Sequence, residues 1–174
     1  MTPARFGEAC AAIARAITES LPLERVLELI GAAARLVVPV DALGMWHAES
    51  PDDPLRLTLG PGQPRNRPSG EGPLRRTDHS SRLWPAAGAS SVCIIADAPR
   101  ELDASFAGDR VLIEMGYRSA LVLGLGDGNR EVLWLVHHAA GVYTPEQART
   151  LQPLVDLTTL AAEHAQLHAL TRRE

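Results

Sequence analysis

The stretch GYRSALVLGLGDGNREVLWLVHHAAGVYTPEQARTLQPLVDLTTLAAEHAQL, residues 116–167, decides the fold of this chain. Within it, SALVLGL (119–125) and EVLWLVHH (131–138) are apolar runs too short to be helices of a packed domain. The GDGN sequence between them suits the positive φ angles of a tight turn, so we predict a β-hairpin. Both runs are apolar at nearly every position, which indicates central strands of a sheet covered on each side.

The two faces of this hairpin differ, because successive side chains of a strand point to opposite sides of the sheet. One side, the leucine face, carries Leu121, Leu123, Leu125, Leu133 and Leu135. The other side, the small-residue face, carries Ala120, Val122 and Gly124 beside Trp134, Val136 and His138. The leucine face is typical of core that packs against helices, whereas the small-residue face can leave space for a ligand.

A long helix is predicted after the hairpin. Thr144 is a favourable N-cap, Pro145 suits the first helical position, and Gln147 completes a capping box. Apolar residues then recur at helical spacing over residues 151–167. Pro153 lies inside this pattern and is predicted to bend or restart the helix.

Two helices and a strand are predicted before the hairpin. Apolar stripes over residues 6–17 and 23–37 indicate the helices, and the second stripe lies between Pro22 and Pro39. Residues 40–48 predict the first strand. Its alternation places Trp46 on the small-residue face with Trp134 if the two strands are neighbours.

Residues 49–90 are rich in proline, glycine and arginine, and most of this stretch is predicted to be loop. The alternating residues 55–59 (LRLTL) indicate an edge strand, and residues 74–77 indicate another short strand. Residues 91–96 then predict a buried strand. A short helix over residues 103–115 follows, with Gly116 as its C-cap.

The order of these elements resembles that of GAF domains, on four segments besides the hairpin and its helix: LPLERVLELI (21–30), VDALGMW (40–46), IADAPR (95–100) and MGYRS (115–119). The resemblance covers residues 15–170 and implies an α/β domain with a central, largely antiparallel sheet. The first, second and last helices are expected on the leucine face. A ligand pocket is expected on the other face, under loops from residues 60–90 and the 103–115 helix.

We expect one GAF-like domain over residues 1–174, with an N-terminal helix at 1–19, a core at 20–167 and a C-terminal helix extension at 168–174. The predicted ligand-binding residues are Trp46, Cys93, Arg110, Val122, Trp134 and His138. Two indoles can wall a planar ligand, since ligand sites are mostly apolar walls with a few polar groups. The same indoles can instead fill the volume beside small residues of this face.

The polar candidates also have two interpretations each. His138 matches a histidine common in the family at that strand end, where it can donate to a ligand or be satisfied by backbone or water. Arg82, Arg110 and Arg118 flank the expected pocket mouth and can pair with an anion. Solvation, or neutralisation by Asp97 and Asp109, is the alternative for these arginines. Cys93 lies mid-strand and is interpreted as a small buried hydrophobe at the pocket.

His164 and His168 are four residues apart on the last helix, a spacing that can bind a metal from one helix face. No third ligand is evident in the sequence, so a helix surface or a dimer seam explains them as well. We therefore predict no metal site.

The family's known cofactors are disfavoured. The cyclic-nucleotide signature includes lysine, and all 17 basic residues of this chain are arginine. Bilin-carrying members use a cysteine beside a histidine, and neither Cys10 nor Cys93 has one. Haem-binding members place a histidine where this chain has LIEMGY (112–117), although His79 in the long loop leaves haem open. The cofactor is unknown.

Composition excludes several classes of protein. The net charge of −4 gives no reason to expect direct nucleic-acid binding. Two cysteines on different elements indicate free thiols rather than a disulfide framework. Charged residues interrupt the best candidate for a membrane span, and Glu8 and Arg15 interrupt any signal-peptide core. We expect a cytoplasmic protein.

The resemblance implies a regulatory domain of a bacterial signal-transduction or transcription-regulation protein, in which an unknown small molecule or signal acts through the terminal helices. Its expected partners are a second copy of the chain and an output domain or partner protein. A ligand-free dimerisation module, with Leu160 and Leu167 in a helical seam, is the alternative. An enzyme is disfavoured, because no nucleophile motif or redox pair is recognisable.

Overall fold

The computed structural model describes residues 3–50, 52–60, 74–80, 82–84, 91–126 and 130–173. The elements follow one another along the chain as α1 (Pro3–Thr18), α2 (Leu23–Arg35), β1 (Ala42–His47), β2 (Arg56–Leu59), β3 (Val92–Ile95), α3 (Ala98–Glu101), α4 (Ala107–Glu114), β4 (Ser119–Leu125), β5 (Glu131–His137), α5 (Pro145–Thr150) and α6 (Gln152–Thr171). A 3-10 turn at Arg76–Asp78 lies between β2 and β3.

The strands form one five-stranded antiparallel sheet in the order β2-β1-β5-β4-β3. The predicted hairpin is confirmed as the β4–β5 pair, and β5 is the middle strand of the sheet. β1 pairs with β5 in a register that places Gly44 opposite Trp134 and Trp46 opposite Val132. The prediction that the first strand neighbours the second hairpin strand is therefore correct.

The leucine face is covered by α1, α2 and α6, as predicted. In this core, alternate residues of β1, β4 and β5 pack against the apolar stripes of the helices. The largest fully buried side chains of this layer are Ile13, Val26, Leu27, Ile30, Leu43, Leu121, Leu133, Leu135, Leu151 and Leu154. The hydrophobic effect of burying this layer fixes the terminal helices on the sheet.

The small-residue face carries a second, separate apolar layer. Its buried strand residues are Ala42, Ile95, Ala120, Val122, Val132, Trp134 and Val136. Leu83 and Trp84 cover it from the long connection after β2, and Leu112, Ile113 and Met115 cover it from the helix α4 and the residue after it. The division of residues between the two faces that the sequence predicted is therefore confirmed.

Three details of the sequence prediction are wrong. Residues 74–77 do not form a strand: Arg75 makes one bridge with Pro54 and the chain then enters the 3-10 turn. The 103–115 helix begins only at Ala107, because the Asp103 carboxylate accepts hydrogen bonds from the backbone and hydroxyl of Ser105 and holds a turn there. β3 is an outer strand, and its Val92 is 45% exposed rather than buried.

The last helix starts as the sequence predicts. The Thr144 hydroxyl accepts from the backbone N–H of Gln147 at 3.2 Å, and the Gln147 side chain accepts from the N–H of Thr144 at 2.9 Å. This capping box begins α5. α5 ends at Thr150 and α6 begins at Gln152, with Pro153 in its first turn, so proline restarts the helix.

Replacement of the cap, Thr144→Ala, is expected to lower the free energy of unfolding by about 1 kcal/mol, because a backbone N–H loses its partner. Thr150→Ala is the matched control, since that hydroxyl only donates back to the Glu146 carbonyl within α5. The control is expected to change stability by no more than about 0.5 kcal/mol. Urea denaturation measures both, and equal losses would contradict a capping role for Thr144.

Candidate functional site

On the small-residue face, Trp46 contacts His79 and the chain's other two tryptophans, Trp84 and Trp134. The ring centroid of Trp46 lies 6.1 Å from that of Trp84 with the planes 4° apart, and 5.8 Å from that of Trp134 with the planes 44° apart. The His79 ring lies 4.6 Å from Trp46. We call these four residues the aromatic cluster. Trp46 is its centre, because the other three rings all contact it.

Gly44 in β1 leaves the space that the Trp134 indole occupies. A Cβ added at Gly44 would lie 2.4 Å from Cζ2 of Trp134, so the indole rests directly on the β1 backbone. The indole thus fills the volume that Gly44 leaves, as one of the two interpretations expected. Gly124 plays no such part, since the hydroxyl of Ser91 occupies its free side, 2.2 Å from an added Cβ.

His79 reaches the cluster because α4 carries a glycine at its start. A Cβ added at Gly108 would lie 2.2 Å from Cε1 and Nδ1 of His79, so the imidazole packs directly on the backbone of α4. The neighbouring Asp109 is fully buried, and its carboxylate accepts from the backbone N–H of Ser80 at 2.9 Å and of Asp103 at 3.1 Å. Asp109 therefore ties two loop segments to α4.

Burial lowers the pKa of His79 to about 4, against the opposing effect of the Asp109 and Asp78 carboxylates. The Nδ1 atom lies 4.0 Å from Oδ1 of Asp109, beyond hydrogen-bond distance. The imidazole is therefore neutral at neutral pH. In that form it offers one N–H donor and one acceptor nitrogen.

Several polar atoms in and beside the aromatic cluster are buried without a hydrogen-bond partner. In the described part of the chain these are both ring nitrogens of His79, the hydroxyl of Ser80 and Nε1 of Trp134. Most buried polar groups in folded proteins have a partner, so an unpaired group requires a specific explanation. Two of these residues, His79 and Trp134, belong to the aromatic cluster, and their unpartnered nitrogens are the distinguishing feature of this site.

The structure brings Val122 and Cys93 to the same wall. Val122 is buried in the apolar layer and pairs with Cys93 across the β3–β4 ladder. The Cys93 thiol donates to the carbonyl oxygen of Arg82, and burial raises its pKa. The residue is therefore a protonated thiol that packs against the layer and is partly rather than fully buried.

His138 lies outside the aromatic cluster. β5 ends at His137, and the His138 backbone N–H donates to the Asp41 carboxylate at 2.8 Å. The His138 ring is exposed, stacks on Tyr117 at 4.6 Å between centroids, and places Nδ1 3.1 Å from the Gly116 carbonyl oxygen. A backbone partner thus satisfies this ring nitrogen.

The three arginines of the expected pocket mouth all have partners. Arg82 pairs with Glu101 at 2.8 Å, and Arg118 donates two hydrogen bonds to Asp97 at 2.8 and 3.1 Å. These hydrogen bonds lower the pKa of Asp97. Arg110 donates to the Ala104 carbonyl at 3.0 Å, which holds the turn before α4.

Sequence reasoning missed Trp84, His79 and Asp109 as members of this site. Trp84 and His79 belong to the irregular connection between β2 and β3, where no periodicity assigns a residue to a face. Asp109 looked like a surface carboxylate on a short helix. The signal for His79 was Gly108, a glycine inside a helix, which often marks a close approach.

On the opposite side of the sheet, a cavity of about 290 Å³ opens between α6 and the turn that joins α1 to α2. His164 and His168 lie at its edge with ring centroids 4.5 Å apart, and the Ser20 hydroxyl is 3.2 Å from Nε2 of His168. Within the described residues, no group of three or more metal-ligating side chains comes together. In the same part of the chain, no helix combines the length and apolarity that a bilayer crossing needs.

This arrangement defines a small α/β domain whose sheet is closed by terminal helices on one face and by an aromatic wall on the other. No protein-family model matches the sequence, and a search of curated proteins finds no match either. Solved structures do match. The phycoerythrobilin-bound GAF domain from a cyanobacterial phytochrome superposes with a TM-score of 0.65 at 17% identity, over 94% of this chain and 97% of that chain.

Two further solved structures are similar. The GAF domain of a putative sensor histidine kinase from Pseudomonas syringae pv. tomato gives a TM-score of 0.61 at 17% identity, over 98% of this chain and 94% of that chain. Free methionine-R-sulfoxide reductase from Neisseria meningitidis, in complex with its substrate, gives a TM-score of 0.58 at 15% identity, over 94% of this chain and 91% of that chain. The chain therefore has the GAF-domain fold.

The buried histidine predicts a specific pH dependence. The His79 pKa is about 4 in the folded state and 6.5 by its ordinary value. Between these values the unfolded chain binds more protons, so the free energy of unfolding falls as pH falls through this window. His79→Phe is expected to reduce the slope by up to about 1.4 kcal/mol per pH unit. Urea denaturation across this pH range measures it.

Should His79→Phe fold poorly, His79→Gln provides the same comparison, because it also removes the titrating group. All other titrating groups are the same in the parent and variant chains, so the difference in slope reports on His79 and on its interaction with Asp109 and Asp78. An unchanged slope in both variants would show that His79 is not the titrating group.

Proposed function

We propose that this chain is a sensory, regulatory GAF-type domain of a bacterial signal-transduction or transcription-regulation protein, which the sequence predicts to be cytoplasmic. A small molecule or signal acts at the aromatic cluster, and the terminal helices pass the change to an output domain or partner. The similar structures from a phytochrome and a sensor kinase support a sensory role. The observation that carries the proposal is the set of buried, unpartnered polar atoms at the cluster.

The strands connect the cluster to the terminal helices directly. Trp46 and Met45 are neighbours in β1, and their side chains lie in the two different apolar layers. Trp134 in β5 likewise stands between Leu133 and Leu135, which pack in the helix-side layer. A ligand that shifts an indole therefore shifts strands on which α2 and α6 rest.

A polar link joins the same strands to α6. His47 Nδ1 lies 2.7 Å from Oε1 of Glu131, and the Gln166 side chain donates to that same oxygen at 2.8 Å. His47 directly follows Trp46 in β1, and Glu131 is the first residue of β5. These contacts give α6 a hydrogen-bonded connection to the two strands that carry Trp46 and Trp134.

Ligand binding at the cluster is expected to raise the melting temperature, because a ligand that binds only the folded state stabilises it. At a concentration one hundred times Kd, the stabilisation is about 2.7 kcal/mol, or roughly 5–10 °C for a chain of this length. A thermal-shift panel of amino acids, nucleotides, aromatics, small anions and haem measures it. Trp46→Leu is expected to abolish the shift.

Met45→Ala is the matched control for Trp46→Leu. It truncates the neighbouring side chain, which faces the helices, and is expected to destabilise the fold by about 2–4 kcal/mol. The ligand-induced shift is expected to persist in this control. Loss of the shift in both variants would mean that general destabilisation, and not the cluster, abolishes binding. The absence of any shift across the panel would contradict ligand sensing.

Exposed leucines favour a second candidate, a ligand-free dimerisation module. Leu160, Leu167 and Leu170 of α6 are 49%, 63% and 62% exposed. Leu160 and Leu167 are seven residues apart, so they lie on one side of the helix and can meet the same helix of a second copy. Dimerisation through α6 is also compatible with sensing.

Dimerisation predicts a concentration-dependent sedimentation coefficient that the double substitution Leu160→Glu and Leu167→Glu abolishes, because two charges then face each other across the seam. Arg149→Glu, on the exposed surface of α5, controls for the change in charge. Sedimentation velocity measures all three proteins. A parent chain that stays monomeric over the concentration range would contradict the dimer.

Enzymatic turnover is not part of the proposal. Cys10 packs against the helix-side layer and Cys93 against the other layer, so the sheet separates the two thiols. They cannot form a disulfide without disruption of the fold. The proposed ligand-binding residues are Trp46, Val122, Trp134 and Cys93, which all pack in the same apolar layer. Arg110 instead donates to the Ala104 carbonyl, and His138 stacks on Tyr117 outside the aromatic cluster.

A further inference from the structure

We propose that the aromatic cluster takes a neutral, planar molecule that carries a hydrogen-bond acceptor next to a donor, and not an anion. This inference rests on the proposed sensory function and specifies its ligand. It is carried by the chemistry of the unpartnered atoms together with the charges around them.

Trp134 defines the first requirement. Its Nε1–H is buried without a partner in the described structure, and the residue as a whole is only 8% exposed. An indole nitrogen only donates, so the missing group must be an acceptor. A buried donor without an acceptor is unfavourable, and a bound acceptor would remove that penalty.

His79 defines the second requirement. Its side chain is fully buried, neither ring nitrogen has a partner within the described residues, and the ring contacts Trp46. The donor and the acceptor nitrogen of a neutral imidazole lie on different edges of the ring, and Nδ1 is the one packed against Gly108. One bound molecule therefore meets Nε2. A donor for Nε2 in its acceptor form, together with the acceptor for Trp134, is the required pair. An amide or a lactam has this combination in one plane.

The surrounding charges disfavour an anion. The buried Asp109 carboxylate lies 4.0 Å from Nδ1 of His79 and would repel a second negative charge in a site of low dielectric. The guanidinium groups of Arg82 and Arg118 are already paired with carboxylates. That of Arg76 lies over the Trp84 ring, 5.4 Å from the centroid, and is engaged there.

The rings themselves favour a flat molecule. Trp46 and Trp84 are parallel to within 4°, and Trp84 comes from the connection between strands while Trp46 is held in β1. A planar heterocycle can stack on the Trp46 indole in the same way as Trp84 does. Binding thus exchanges one stacked ring for another and supplies the hydrogen bonds that the side chains lack.

The test compares three flat probes of similar size by isothermal titration calorimetry and tryptophan fluorescence on the whole chain. Nicotinamide has the neutral amide, nicotinate has a carboxylate in its place, and toluene has neither acceptor nor donor. Nicotinamide is expected to bind at least tenfold more tightly than either of the other two.

Trp134→Phe removes the indole N–H and keeps a ring, and it is expected to weaken nicotinamide binding about tenfold, the effect of one hydrogen bond to a buried donor. Trp84→Phe is the matched control, because it makes the same chemical change at a residue without an unpartnered buried atom. It is expected to weaken binding less. His79→Phe provides a second variant should Trp134→Phe not fold, and the same loss is expected.

Three results would overturn the inference. Tighter binding of nicotinate would show an anion site, and equal binding of toluene would show an apolar one; both would leave the sensory function standing. No binding of any probe would exclude this ligand class, and the wider thermal-shift panel then decides whether the sensory function itself fails.

Discussion

The structure depends on the pairing of β1 with β5, two strands that lie far apart in the sequence. In this register Gly44 is opposite Trp134, and the indole occupies the space that a side chain at position 44 would need. A slip of one residue would turn every side chain of β1 to the other face of the sheet. It would place Met45 among the tryptophans and Trp46 under the helices. Hydrophobic alternation and the glycine contact together fix the register.

The sequence predicted those parts of the fold that local chemistry determines. The capping box at Thr144, the restart at Pro153 and the alternation of β4 and β5 each act within a few residues, so they are readable without the structure. The outer position of β3 depends on the order of strands in the sheet. Its sequence, SVCIIA, is as apolar as that of a central strand, and for this reason the prediction that β3 is buried was wrong.

The site was only half predictable for the same reason. Trp46 and Trp134 belong to regular strands, and parity assigned them to one face. Trp84 and His79 come from an irregular connection, and their contacts with Trp46 arise from tertiary packing. Asp109 is an acidic residue in a helix of eight residues, a position that is usually solvated, yet it is fully buried by the loop segments that donate to it.

The two faces of the sheet differ in how well their polar groups are satisfied. On the helix side, the buried His47 has a carboxylate oxygen near each ring nitrogen, and the Thr158 hydroxyl donates within α6. On the aromatic side, His79 and Trp134 have no such partners in the described chain. Stability alone would favour apolar residues of similar shape at these two positions. Under the proposed function, a ligand supplies the partners that these polar groups lack.

The comparisons lead to the same division between scaffold and site. The similar structures share 15–17% identity with this chain at TM-scores of 0.58–0.65, so the same fold forms from sequences that differ at most positions. The leucine face is constrained by the helices that rest on it. On the opposite wall the register requires Gly44 beside the Trp134 ring, but apolar rings in place of Trp134 and His79 would meet the needs of packing alone. Under the proposed function, the unpartnered polar atoms of Trp134 and His79, and not the fold, determine which ligand the wall accepts.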